Sequence, residues 1–201
     1  MPIGTISSNV SLAGISIQSL ITREAAGQIS QQVELPAGKA GTLTTRTSDT
    51  VGEATLAAGH GIATGHVVDV SWAGGVRYGV TVGTVAGNVV PLTNSGNGDN
   101  LPVQGTDLVV SKQITINTDF DGDDAVMFAV HSTKRSHIDF QDSGGASLEA
   151  IDLPANEVWW WAEGTGEVNP LTGNAVDCVK VSNGSIESAT LKIGVLYQSV
   201  Q

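Results

Sequence analysis

The chain has a single cysteine, Cys178, so no disulfide can close within it. Packing has to hold the fold without covalent staples. Val176 and Val179 flank Cys178 and no histidine is near it in sequence, so it reads as a small buried hydrophobe and not as a nucleophile. Charge is also scarce: Asp, Glu, Lys and Arg make up 14% of the chain, against about a quarter in ordinary globular proteins. Basic residues are fewest, 9 against 20 acidic ones, for a net charge of −11. An acidic surface repels phosphate backbones, so a nucleic-acid partner is not expected. No apolar run approaches the roughly 20 residues of a membrane helix. The start, MPIGTISSNVSLAG, has neither the positive nor the apolar region of a signal peptide. The expectation is a protein made in a cytoplasm and soluble there, with no membrane partner.

Reaction templates are missing as well. There is no G-x-S-x-G elbow, no H-E-x-x-H, no C-x-x-C and no Walker loop. Gly83-Thr84-Val85-Ala86-Gly87 lacks the spacing for dinucleotide binding. Carboxylates pair in sequence at Asp139/Asp142 and Glu163/Glu167. A glycosidase needs two that converge in a cleft, and a sequence does not show convergence. The chain is not expected to be an enzyme.

What remains is a β-forming composition: 40% hydrophobic residues and 25 glycines. The clearest stretch is Val67–Leu92. Val68, Val70 and Trp72 alternate with Asp69 and Ser71; after Ala73-Gly74-Gly75, the residues Val76, Tyr78, Val80 and Val82 alternate with polar or small ones; Ala86-Gly87-Asn88 then leads into Val89, Val90 and Leu92. Period-two alternation between glycine-rich turns is a β-meander with one wet and one dry face. With short strands before and after it, this stretch predicts a small five-stranded β-barrel-like unit over residues 49–111.

The flanking segments read as an antiparallel sandwich or jelly-roll-like body. Residues 1–48 supply an arm and a hairpin through Ile15, Ile17, Ile29, Val33 and Leu35, with a short helix over Gln18–Ala26 as the competing reading. Residues 112–201 supply the rest. Ala125–Val130 is a continuous apolar run, as expected of a strand buried on both faces. Asn183-Gly184 signals a hairpin. The fold class is all-β, with the barrel inserted into the body and about twelve short strands in all.

Three features invite a functional reading. Asp119, Asp121, Asp123 and Asp124 crowd one turn, and hard oxygen ligands suit Ca²⁺. Gly122 comes too early for an EF-hand and Val130 stands where its final Glu would be, so a solvated acidic tip is the competing reading. The histidines His60, His66, His131 and His137 read as turn or surface residues, because zinc would need three or four convergent ligands. The run Trp159-Trp160-Trp161 puts indoles on both faces of a strand. These suit an interface, an inter-sheet core or a sugar platform.

In composition and rhythm the whole chain resembles the virion proteins of tailed bacteriophages. The features are the Gly4–Leu35 arm and hairpin, the small barrel with His60-Gly61-Ile62 and Trp72-Ala73-Gly74-Gly75, and the closing Leu191–Leu196 strand. That likeness implies a structural subunit of a virion, assembling with its own copies and with other virion proteins. A capsid decoration protein is the leading expectation, and a tail tube subunit or a glycan-binding module the alternatives. The arm residues Ile3, Ile6, Val10 and Leu12, the basic pair Lys134-Arg135 and the three tryptophans are the expected contacts.

Overall fold

The computed structural model describes residues 10–12, 15–17, 27–94, 100–163 and 166–197. The fold is all-β. A closed barrel and a two-sheet sandwich account for most of the described chain. A separate small hairpin pairs β1 (Val10–Leu12) with β2 (Ile15–Ile17).

The barrel is built from β4 (Lys39–Arg46), β5 (Val51–Leu56), β6 (Val67–Trp72), β7 (Gly75–Val82), β8 (Val89–Thr93) and β9 (Asp107–Lys112). Its order is β4-β5-β8-β7-β6-β9, and pairing of β9 with β4 closes it. The alternation that marks the meander now has a cause. Val68, Val70, Val80, Val82, Val90 and Leu92 point inward and share one dry core with Leu43, Leu56 and Val110. Closure leaves no free strand edge. The barrel has six strands where the sequence suggests five, because β4, read as part of the N-terminal segment, pairs with β5 and β9.

One sandwich sheet has the order β10-β15-β12-β13: Ile114–Asp121, Ala175–Asn183, Ser136–Gln141 and Ser147–Leu153. The other has the order β14-β11-β16-β3: Val158–Ala162, Ala125–Ser132, Ala189–Tyr197 and Gly27–Leu35. Both contribute to one core that holds Ile138, Phe140, Val179 and Val181 from the first sheet, and Phe128, Val130, Leu191 and Ile193 from the second. The hairpin expected between Ile15–Ile17 and β3 does not form. Among the described residues β3 pairs with β16, at the other end of the chain, from Gly27↔Tyr197 to Leu35↔Ala189. Residues 18–26, with their competing helical reading, lie outside the described residues.

The apolar run Ala125–Val130 also differs from expectation. In β11 buried and half-buried positions alternate from Met127 onward, so only the inner face is covered. Among the described residues no layer packs on the outer face of this sheet.

Candidate functional site

The acidic turn is a clasp between two loops. Asp121 caps a single 3-10 turn (Gly122–Asp124), its Oδ1 accepting from Asp123 N at 3.0 Å. Asp123 Oδ1 accepts from Gly173 N at 2.7 Å, and Asn169 Nδ2 donates to Gly122 O at 2.8 Å. The loop presses so closely that a Cβ on Gly122 would stand 2.0 Å from Leu171 O. Asp121 and Asp123 thus use one oxygen each on backbone N–H groups. Among the described residues no group of three His, Cys, Asp or Glu side chains gathers as a metal site.

Two of the four histidines build turns. His60 Nδ1 accepts from Ile62 N at 3.0 Å, which leaves Nε2 as the donor to Gly87 O at 3.1 Å. His66 Nδ1 accepts from Ala63 N at 3.1 Å. His131 lies half-buried on the outer sheet face.

The tryptophan run divides by strand parity. Trp159 and Trp161 turn inward, where Phe128 stacks on both with ring centroids 4.8 and 5.6 Å away. Trp161 Nε1 donates to Glu167 O at 3.1 Å. Only Trp160 faces out, 45% exposed. The basic pair is engaged within the chain. Lys134 pairs with Glu187. Arg135 clamps Asp152 with two hydrogen bonds, 3.0 Å from Nε and 2.5 Å from Nη2. Val10 and Leu12 pair with Ile17 and Ile15 in the small hairpin, while Ile3 and Ile6 lie outside the described residues.

The densest polar chemistry lies where the barrel meets the sandwich, and sequence reasoning missed it. Asp69 keeps its place on the outer face of β6, between the inward Val68 and Val70, and the sandwich covers that face; opposite it the extra residue of a β-bulge lies in β7, where Gly79 takes a φ of +66°. Asp69 is 3% exposed. Its Oδ1 accepts from Gly79 N at 2.9 Å and Gln113 Nε2 at 2.8 Å, and its Oδ2 from Ser182 Oγ of the sandwich at 2.5 Å. Burial raises its pKa, against the lowering effect of those three donors. Ser111 of the barrel donates to Asn183 O, and Gly38 N donates to Ser185 O at 2.8 Å.

Beside this bolt sits His137, 1% exposed. The Tyr78 ring of the barrel meets it edge-on at 5.2 Å. His137 Nδ1 lies 3.2 Å from Asp152 Oδ1 but out of line, so neither ring nitrogen has a well-formed hydrogen bond. Burial drives its pKa down to about 4, with the Arg135 charge adding to the effect and Asp152 opposing it. Burial likewise lifts Tyr78 to about 12, helped by Asp152 and Asp69. The imidazole is therefore neutral at pH 7, and both His137 and Asp69 are shut off from solvent.

A pH prediction follows from His137. Its folded pKa of about 4 lies below the ordinary 6.5, so between those values the unfolded chain holds the proton and the folded one does not. Stability is complete above pH 6.5 and falls as pH drops toward 4, by about 3 kcal/mol in all. Asp69, with its raised pKa, acts in the opposite sense and gains on acidification. Urea midpoints across this range should show the loss, and His137→Gln should remove that component. A slope unchanged in the variant would assign it elsewhere.

Comparison of the chain with known protein families, curated proteins and solved structures finds no match.

Proposed function

We propose that the protein is a non-enzymatic structural subunit of a tailed-bacteriophage virion, a capsid decoration protein that assembles by adding strands at the open edge of its sandwich. The observation that carries this reading is β3. It pairs with β16 along nine residues without a bulge, and among the described residues its other edge carries no strand. From Gly27 to Val33 it has no charged residue and no proline. Monomeric proteins blunt such edges with charges, prolines or bulges. The other three edges have such protection: β10 has a bulge between Asn117 and Phe120 and ends on Asp121, β13 carries Glu149 and Asp152, and β14 has only five residues. An undefended edge fits an assembly subunit, where strand addition is the docking device.

Light scattering on eluting fractions, followed by electron microscopy, should find defined oligomers or particles bound to a shell. Gln32→Lys places charge on the β3 edge at an exposed position and should reduce association at least tenfold while the thermal midpoint stays put. A wild-type monomer that binds no shell would reject the reading. Rings stacking into tubes would move it to a tail tube subunit.

A further inference from the structure

The outer face of the β14-β11-β16-β3 sheet carries a concavity of about 460 Å³. Its floor is Ala129 and Gly194, and His131, Lys192 and Gln32 rise beside it. The register explains its shape. Trp160, Ala129 and Gly194 stand opposite one another on three adjacent strands, so one large ring borders two minimal side chains. Val158, His131, Lys192 and Gln32 form the next row.

Gly194 is the telling residue. A glycine inside a strand weakens it, and usually marks a bulge or a close backbone approach. Neither applies: pairing is regular on both sides of Gly194, and a Cβ there would meet nothing within 4 Å. The absent side chain leaves open space above the floor.

Among the described residues no hydrogen bond or ion pair within the chain engages the side chains of Lys192, His131 and Gln32. Among the described residues the Lys192 ammonium meets no carboxylate, although acids outnumber bases 20 to 9 along the chain. Trp160 is exposed beside it. We infer that this concavity binds a carboxylate-bearing saccharide, with the acid group on Lys192, hydroxyls toward His131 and Gln32, and a sugar ring against Trp160. Sugar is favoured over peptide on backbone grounds. The floor strands β11 and β16 are hydrogen-bonded to neighbours on both sides, so a peptide lying across the floor finds no free N–H or C=O there, and only β3 at the rim has an open edge. Recognition falls to side chains alone, which suits a rigid ring rich in hydroxyls. This inference does not depend on the assembly reading.

The test is calorimetric titration of the purified chain with a galacturonate trisaccharide and with the neutral galactose trisaccharide. The acidic sugar should bind, and the neutral one at least fivefold more weakly. Gly194→Val should abolish binding by filling the floor, while the open space lets the fold keep or raise its thermal midpoint. Lys192→Ala should weaken the acidic sugar about tenfold and leave the neutral one unchanged. Failure of the acidic sugar to bind, or binding that survives both substitutions, overturns the inference.

Discussion

Replacing Phe128 with alanine should cost about 3–5 kcal/mol of stability. Phe128 is fully buried near the middle of β11. Trp159 and Trp161 stack on it at interplanar angles of 27° and 25°, and Phe140 tilts against it from the opposite sheet at 6.3 Å. Removal takes away the transfer energy of a ring and leaves a cavity between two indoles that their strand holds in place. Neither indole can close the gap without pulling β14 off β11. Phe128→Leu, which refills most of the volume, should cost less than half as much. Urea denaturation gives the energies, and near-UV dichroism reports the loosened tryptophans. A loss below about 1 kcal/mol for the alanine variant would mean that the aromatic stack is not the centre of the sandwich.

The second large effect is expected at Asp69. Asp69→Ala leaves the Gly79 N–H, the Gln113 amide and the Ser182 hydroxyl without their acceptor. Stranded buried donors cost about 1–3 kcal/mol each, and water entering the space recovers part, so a net loss of about 3–5 kcal/mol is expected. The loss should be of a particular kind. The barrel core and the sandwich core are separate clusters, and Asp69 lies between them. Hydrogen exchange should therefore rise first at the joint, in Gly79 and its neighbours, before either core opens. Asp69→Asn keeps one acceptor oxygen and should lose less. If exchange instead rises evenly through the barrel, Asp69 supports the barrel itself and not its attachment.

Much of the architecture was legible because local pattern carries it. The meander showed itself through alternating valines between glycine turns, and its residues do line the barrel core. Membership of a sheet is a different matter. Thr42 and Leu43 look alike whether β4 belongs to barrel or sandwich, and only pairing with β5 and β9 decides. The β3–β16 pairing joins the two ends of the chain, and nothing in either strand names the other.

At the sites, parity foretold that the tryptophans would split. It did not say which face is dry, since the partner ring, Phe128, lies on another strand. Lys134 and Arg135 look free in sequence because Glu187 and Asp152 are distant in it. Asp69 was the hardest to read. Alternation puts it on the barrel's outer face, and only the packing of the sandwich against that face, through Ser182, buries it. The concavity was invisible for a related reason. Ala129, Gly194 and Trp160 become neighbours only through the register of three strands.

The way the barrel is attached bears on the order in which the chain folds. The polypeptide leaves the sandwich after β3, runs through all six barrel strands, and returns as β10. The strands on which it departs and returns, β4 and β9, are paired neighbours, Lys39 opposite Val110. Before the barrel exists, residues 36–113 are a long slack loop between two parts of the sandwich, and closing such a loop costs entropy. Once the barrel has closed, the same loop spans about 5 Å. The barrel then works as a clamp on the unfinished sandwich, shortening the search by which β3 finds β16. Slow steps in folding should accordingly follow the barrel's strands and not the sandwich core.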